Sequence, residues 1–588
     1  MGDTLISPSG RVALMRVLIG LGGALSAFIF CLFVLPYVLP GSVEKFFVAR
    51  VLEVALQRPI KISGDAEFSL LPKFQLTATK IIVENKENSD QPVLADIARL
   101  HLEAGPWGLL TNTLTVDHLI VDQPVLRLSR DHAGRTNWRL ANGGDQSSNL
   151  RKPDFNWGRW RDFRIGDVQL NNGRFIFDDR VSGRHINGVN ANFRIARSAI
   201  TGAADGLSLD GDMDVNGEPV HLRIDMGSTK RFLSGGRMPM IAEISANPLT
   251  LRYQGTIAKR QYVVTEGQVS VDAVNVNHLE SWLGPIFSTA VNGGLRWTSY
   301  FSSNANRIVL KDMRLNLGGD QYSGDLRLVA GVKGHFLRGS ILADNLNLSS
   351  FSNMLPSLWH SNAVDGHLDV NWRKLSYGDL RFGQGRLKVD FSSEDRMTSF
   401  DLSRMTLYGG QARARVKISR LGDAYALDAA INVTRVRSGQ LFKALRADVP
   451  LAGEANVRLK IASVGRNTAQ LIAALRGRGG FNVVNGSVSN AVLADHLRVA
   501  GQNRLGFSQL FGSFSIDHGV IDGRDLLLKA KHLSLVGDGI VDISQRKVDV
   551  HLQSLSRAKG RDNKHGPSIR PIRLIGTLVG FDVVKDEG

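Results

Sequence analysis

Val220-His-Leu-Arg-Ile-Asp-Met226 alternates strictly between apolar and polar side chains. Successive side chains of a β-strand point to opposite faces, so this pattern predicts a strand with one apolar and one polar face. The same period of two recurs at Leu387-Lys-Val-Asp-Phe391 and at Val548-Asp-Val-His-Leu552. We therefore expect a mainly β protein, with no long helix between about residues 160 and 430.

Pairs of turn-forming residues punctuate the strand-like segments, and Asn-Gly or Asp-Gly is typical of a tight hairpin turn. These pairs predict turns at 171–173, 216–217, 365–366, 485–486 and 522–523. Gly477-Arg-Gly479-Gly480 carries two of the three glycines of a dinucleotide-binding loop. It lies between strand-like segments rather than before a helix, so we expect a turn there too.

Helical spacing is confined to short segments. It predicts a helix over 43–56 and shorter helices at 469–475 and 492–499. A weak repeat links Val274–Leu283, Leu346–Leu355 and Val433–Leu445, at intervals of about 70 to 90 residues that exceed standard solenoid periods. The recurrence indicates a repeated β module with several strands in each unit, although coincidence would explain any single pair.

Residues Val17 to Leu39 contain no charge over 23 positions. An apolar run of about 20 residues is long enough to cross a bilayer as a helix. The run exceeds the apolar core of a signal peptide and lacks the small-residue cleavage site, which favours an uncleaved anchor over a cleaved signal. Arg11 and Arg16 flank its short side, so the N-terminus is expected in the cytoplasm and the bulk outside it.

The chain of 588 residues is too long for one compact core, and its net charge of +17 implies anionic surroundings. Lysine and arginine are spread singly along the strands, without the clustered patch or aromatic platform that nucleic-acid binding requires. Anionic lipid headgroups next to a membrane anchor suit this diffuse charge better, while a solvated strand face would explain many of the charges.

The usual catalytic motifs are absent from the sequence, including the nucleophile elbow, the zinc-protease helix and the phosphate-binding loop. The 14 histidines are scattered, and the only cysteine is Cys31. Asp178-Asp179 and the acids of Asp210-Gly-Asp-Met-Asp214 lack the spacing of a calcium loop, so we expect water-facing strand acids. No catalytic, cofactor-binding or metal-binding residue is predicted, and an enzyme is not expected.

Several segments resemble the AsmA family. They are LPKFQLTATKIIV from Leu71, the stretch from Val116 to Leu128, GRTNW from Gly134, VQLNNGRFIFDDRVSG from Val168, the stretches Leu451–Ser489 and Phe511–Ser554, and PIRLIG from Pro571. Their order carries the resemblance, which is looser between about residues 200 and 400. It implies a bacterial inner-membrane protein that extends into the periplasm and serves outer-membrane biogenesis. It also implies a long, curled antiparallel sheet with an apolar groove, and larger relatives are associated with moving phospholipid between the membranes.

With this resemblance the chain divides into six predicted regions. They are a cytoplasmic tail (1–16), a transmembrane anchor (17–39), an N-terminal AsmA-like β region with a leading helix (41–141), a polar linker (142–158), a repeated β-strand groove region (159–450) and a C-terminal AsmA-like β region (451–588).

Strands with one apolar face and no covering helices leave a surface that another layer or a ligand must close. The predicted ligand is phospholipid or another acyl-chain lipid, with no cofactor. The candidate groove residues are Val220, Leu222, Ile224, Leu387, Val389, Phe391, Val548, Val550 and Leu552. An alternative is a scaffold for outer-membrane protein assembly, with outer-membrane or barrel-assembly proteins as partners. An envelope hydrolase is a third, weaker hypothesis.

Overall fold

The computed structural model describes residues 41–56, 58–69, 73–85, 92–105, 113–132, 135–138, 162–180, 183–198, 202–203, 205–284, 293–331, 334–351, 364–445, 449–489, 504–531, 533–555, 571–577 and 580–585. The predicted tail, anchor and polar linker, and the helix predicted at 492–499, lie outside these residues. Within the described ranges, no helix has the length and apolar character needed to span a membrane.

The chain folds as two compact units. Unit 1 comprises Met1–Gly284 with Phe301–Ala305, and unit 2 comprises Pro285–Tyr300 with Asn306–Gly588. Both are built almost wholly of strands, with a few short helices. The mainly β fold predicted from the alternating segments is therefore confirmed.

Unit 1 contains twelve described strands and three helices. The strands are β1 (Ile60–Ile62), β2 (Ala66–Ser69), β3 (Phe74–Glu84), β4 (Val93–Ala104), β5 (Thr113–Arg130), β6 (Asp162–Asp179), β7 (Arg184–Arg197), β8 (Gly206–Val215), β9 (Glu218–Ser228), β10 (Arg237–Ala246), β11 (Leu249–Lys259) and β12 (Val263–Ala273). The helices are α1 (Gly41–Leu56), α2 (Thr229–Leu233) and α3 (Val276–Leu283).

Strand β13 (Leu295–Asn304) follows, and unit 2 continues with seventeen described strands. They are β14 (Arg307–Leu317), β15 (Asp320–Ala330), β16 (His335–Asn347), β17 (Val364–Tyr377), β18 (Leu380–Phe382), β19 (Gly385–Ser392), β20 (Met397–Leu407), β21 (Gly410–Leu421), β22 (Ala424–Arg437), β23 (Leu451–Gly465), β24 (Arg476–Val488), β25 (Leu505–Asp517), β26 (Val520–Ala530), β27 (Ser534–Asp542), β28 (Lys547–Ser554), β29 (Ile572–Thr577) and β30 (Gly580–Lys585). Its helices are a 3-10 helix (Leu348–Phe351), α4 (Ser438–Ala444) and α5 (Thr468–Ala473).

Each unit forms a long sheet in which most strands pair with the next strand along the chain. The expectation of a purely antiparallel sheet is wrong at two places, since β5–β6 and β16–β17 are parallel. A parallel pair needs a long crossover, whereas an antiparallel pair closes with a short turn. Residues 131–161 and 348–363 supply the two long connections.

Only one of the five predicted glycine turns is a hairpin turn. Asn216 and Gly217 join β8 to β9, both with positive φ. The other four pairs lie inside strands, and two of them coincide with β-bulges, where a residue with positive φ also fits. Asn172 and Asn485 have φ near 50°, and the registers of β6–β7 and β23–β24 shift beside them.

The glycine segment 477–480 lies within β24, so its prediction as a turn is also wrong. A Cβ at Gly479 would stand 2.7 Å from Cε2 of Phe514 and closer still to Cζ. At Gly477 it would meet the carbonyl oxygen of Lys460. These glycines therefore allow a ring and a neighbouring strand to approach, rather than a reversal of the chain.

The helix predicted from residue 43 is confirmed as α1, and the segment at 469–475 coincides with most of α5. All three copies of the weak repeat place a strand end before a short helix, after β12, β16 and β22. The fully buried side chains near the start of unit 1 include Val48 of α1, packed in one cluster with Leu76 and Ile81 of β3. The N-terminal end of the sheet is therefore closed by a helix.

Candidate functional site

An apolar row crosses unit 1 at right angles to its strands. Residues directly opposite each other on paired strands share a face of the sheet. Read from β3 to β12, one such row contains Leu76, Leu102, Leu119, Val168, Ile195, Leu209, Ile224, Ala242, Tyr253 and Val269. The ten strands thus present a continuous apolar band, which we call the unit 1 row.

The neighbouring row on the opposite face is mainly polar. Its members are Thr77, His101, Ile120, Gln169, Arg194, Asp210, Arg223, Glu243, Arg252 and Ser270. Because the side-chain period is two, this contrast fixes the register, since a slip by one residue would exchange the two faces.

Unit 2 carries an equivalent band. From β14 to β29 it contains Leu310, Leu326, Gly339, Leu368, Val389, Phe400, Val416, Ala429, Ile461, Gly477, Ile516, Ile521, Val541, Val548 and Gly576, and we call it the unit 2 row. A second row, two residues along each strand, includes Val370, Leu387 and Leu402. The apolar face of unit 2 is therefore at least two side chains wide on these strands.

The structure places the sequence-predicted residues on these two faces. Ile224 belongs to the unit 1 row, with Val220 and Leu222 on the same face of β9. Val389 and Val548 share the unit 2 row although 159 positions separate them in the chain. Leu387 and Phe391 flank Val389 on β19. Likewise Val550 and Leu552 follow Val548 on the same face of β28.

Most members of these apolar rows are only half-buried. Of the nine predicted residues, Val220, Val389 and Leu552 are buried, at 6%, 7% and 7% exposure, and the other six are half-buried. A sheet face covered by a second protein layer would bury such residues almost completely. This face therefore retains accessible apolar surface that a ligand can cover.

A glycine keeps the apolar face of unit 1 continuous at Phe193. Gly211 lies directly opposite Phe193, between it and Leu222 of β9. A Cβ at Gly211 would collide with Cδ1 of that ring and lie 2.7 Å from the Cα of Phe193. The ring thus fills the place of the missing side chain, and the apolar surface continues across β8.

Ion pairs stabilise the polar face. Arg194 donates to Asp167 through Nε at 2.8 Å, and this hydrogen bond is the main reason why the pKa of Asp167 lies below its usual value. Arg573 contacts Asp549 at 2.6 and 2.8 Å and lowers the pKa of that carboxyl in the same way. His367 lies between Asp390 at 2.6 Å and Asp369 at 3.2 Å, and the hydrogen bond with Asp390 raises its pKa.

The acids considered as calcium ligands have strand partners instead. His221 contacts Asp212 at 2.9 Å and Asp210 at 3.5 Å, and Asn190 donates to Asp214 at 2.6 Å. Across the part of the chain that the structure describes, histidine, cysteine and acidic side chains form no group of three or more that could hold a metal.

A cavity on the polar face of unit 2 was not predicted from the sequence. It has a volume of about 1340 Å³ and spans strands β22 to β26. Three cations, Arg458, Lys460 and Arg478, belong to its lining. The sequence did contain a signal for this cluster of cations, namely the alternating motifs Arg458-Leu-Lys460 and Arg476-Gly-Arg478. The register that brings the two motifs together could not be predicted from their spacing in the sequence.

Comparison with known proteins identifies a family whose sequence model matches this chain. A sequence model of the AsmA family matches residues 48–273 and 346–526. The AsmA family protein YhjG of Escherichia coli (strain K12) is 26% identical over 149 residues, which cover 23% of this chain and 21% of that protein. The chain thus aligns with about a fifth of the length of this curated relative. No solved structure matches the chain.

Proposed function

Because the chain belongs to the AsmA family, we propose that it is an envelope-biogenesis protein that binds or conducts phospholipid along the apolar face of its sheets. The observation that carries the proposal is the apolar row that crosses each unit, most of whose members are half-buried. Acyl chains suit such a surface because they need no hydrogen bonds, and each buried methylene contributes about 0.8 kcal/mol.

The amphipathic strands also explain how a whole lipid would be accommodated. Tails would lie against the apolar rows, which would form a groove, while the headgroup would stay in water. No chemical step is needed, so the proposed activity is binding and movement rather than catalysis, and it requires no cofactor.

The proposed location follows from the charge-free segment 17–39 and the arginines before it. A single-pass anchor in the inner membrane, with the N-terminus in the cytoplasm, would place both units in the periplasm. The membrane would then be the source or the recipient of the lipid at the N-terminal end of the sheet.

Lipid mass spectrometry of the purified chain tests the proposal. The full chain is extracted in a neutral detergent, washed, and its bound lipids are quantified per mole of protein. We expect co-purified phospholipid and saturable binding of a fluorescent fatty acid to the delipidated chain.

The absence of both signals would overturn the proposal. Cross-linking in cells provides a second discrimination, because a scaffold for outer-membrane protein assembly would capture barrel-assembly proteins rather than lipid. Capture of those proteins together with an absence of bound lipid would favour the scaffold.

A further inference from the structure

The cavity on the polar face of unit 2 concentrates positive charge. Arg458 and Lys460 are two positions apart on β23, so their side chains leave the same face, about 7 Å apart along the strand. Lys460 is directly opposite Arg478 of β24, where Cβ atoms are typically about 5 Å apart. These three cations therefore lie close together in the lining of one cavity, which also contains Arg524.

These cations have no acidic partner in the part of the chain that the structure describes. Among the described residues, the side chains of Arg458, Lys460 and Arg478 form no hydrogen bond or ion pair. All three are exposed, and like charges directly opposite each other destabilise a sheet. Elsewhere on the polar face of unit 2, Arg415 pairs with Asp401 and Arg573 with Asp549.

The two acids in the cavity lining are already engaged. Asp522 accepts two hydrogen bonds from Arg524, at 3.0 and 2.8 Å. Asp525 accepts from the backbone and the hydroxyl of Ser513, both at 2.6 Å, and these bonds lower its pKa. Arg524 therefore neutralises Asp522, while Asp525 keeps its negative charge, and the four cations of the lining exceed its two carboxylates by two positive charges.

Amide side chains also belong to the lining, which further contains Phe481, Phe511 and Phe514. Gln509 donates to Oδ1 of Asn482 at 3.1 Å, and Oδ1 of Asn456 accepts from the backbone of Arg435 at 3.1 Å. The amide nitrogen of Asn456 donates one hydrogen bond to the carbonyl oxygen of Asn482 at 3.5 Å, so each asparagine keeps at least one further N–H group for the cavity that it lines. Positive charge and donors are the features that a phosphate group requires, because its oxygens accept charge-assisted hydrogen bonds.

We infer that this cavity is a binding site for a phosphorylated anion held by Arg458, Lys460 and Arg478. The volume of about 1340 Å³ exceeds that needed for one phosphate, so it has room for a phosphorylated headgroup or a sugar phosphate. The three cations lie on the face opposite the apolar rows, so their binding of an anion does not depend on the proposed binding of acyl chains. The ligand could be a soluble phosphate compound or the headgroup of an anionic lipid, and the two share this chemistry.

The test uses the full chain in neutral detergent. Inorganic pyrophosphate is titrated by calorimetry, and micelles containing phosphatidylglycerol or phosphatidylcholine are titrated separately. The variant combines Arg458→Gln, Lys460→Gln and Arg478→Gln. Its matched control combines Arg327→Gln, Arg338→Gln and Lys417→Gln, which removes three exposed cations of the same unit, including a cross-strand pair of arginines outside the cavity.

We expect the triple variant to lose at least about tenfold in affinity, since charge-assisted hydrogen bonds are the stronger ones, while the control stays within about twofold of wild type. Loss in the pyrophosphate titration identifies a soluble phosphate compound, and loss confined to phosphatidylglycerol micelles identifies a headgroup. Equal affinity of both variants for both probes would overturn the inference, as would the absence of binding by wild type.

A second measurement tests the inference even if the triple variant does not fold. Pyrophosphate or phosphatidylglycerol should raise the unfolding temperature of wild type, because a ligand that binds only the folded state stabilises it. The single variant Arg478→Gln should reduce that increase. An unchanged increase in Arg478→Gln would also overturn the inference.

Discussion

Leu387 and Lys388 are adjacent on β19 but point to opposite faces, which gives a matched test of the apolar rows. Leu387 is half-buried between Val370 and Leu402, whereas Lys388 is exposed and opposite Asp369 and Asp401. We compare Leu387→Asn, which keeps the number and branching of the side-chain heavy atoms, with Lys388→Asn. The two variants introduce the same residue at the same level of the sheet and differ in the face that they alter.

The expected magnitudes follow from burial. Full burial of leucine contributes about 1.5 to 3 kcal/mol, so a half-buried Leu387 contributes about 1 kcal/mol to folding stability. Covering an unpaired amide with an acyl chain costs about 1 to 3 kcal/mol. Since 1.4 kcal/mol corresponds to a tenfold change in affinity, the affinity for lipid at this part of the sheet should fall about 5- to 150-fold in Leu387→Asn. A change at the exposed Lys388 should alter free energies by about 0.5 kcal/mol or less.

The assay must measure lipid bound next to Leu387 only, because lipid bound elsewhere on the long sheet would mask the effect of the substitution. A photoreactive phenylalanine derivative replaces Leu402, directly opposite Leu387, and lipid adducts are quantified by mass spectrometry after irradiation in cells. Leu387→Asn should reduce the adduct strongly and Lys388→Asn should leave it unchanged. Equal adduct yields in the two variants would refute the reasoning.

Two further predictions concern the sheet itself. Gly211→Ala should destabilise the strands around β8 by about 1 to 3 kcal/mol, because the new Cβ would collide with Asn192 and Phe193. In the control Gly506→Ala the new Cβ meets open space, so this variant should be neutral or stabilising by about 0.4 to 1 kcal/mol. Hydrogen exchange measures both, and similar protection in the two variants would contradict the prediction. Because the pKa of Asp549 is depressed mainly by Arg573, this pair stabilises the fold above the unfolded-state pKa of the carboxyl and loses its effect as the pH falls through the folded-state pKa. Arg573→Gln should therefore lower the unfolding temperature near pH 7, and its difference from wild type should shrink as the pH falls through the folded-state pKa; a difference independent of pH would count against it.

The sequence predicted the parts of the fold that depend on local alternation. The period of two at 220–226 fixes which side chains of β9 share a face, and the structure places Leu222 and Ile224 there together. Lateral neighbours depend on register and on bulges, which short-range patterns do not specify. The placement of Val548 in the same row as Val389 and the meeting of Lys460 with Arg478 are therefore visible only in the structure.

The two misread Asn-Gly pairs have a common cause. Asn-Gly signals a positive φ, and the hairpin at 216–217 and the bulges at 172 and 485 satisfy that requirement equally well. The parallel pair β5–β6 was missed because its direction is set by a connection of residues 131–161 rather than by either strand. Both strands of that pair have the composition of any other strand in the sheet.

Photo-cross-linking along β9 tests the central claim most directly. The photoreactive residue is placed in turn at positions 221, 222, 223 and 224 of the full chain, and phospholipid adducts are measured by mass spectrometry. Leu222 and Ile224 lie on the apolar face, and His221 and Arg223 on the polar face. The account predicts adducts at 222 and 224 and little or none at 221 and 223; equal labelling at all four positions, or lipid adducts at none of them, would contradict it.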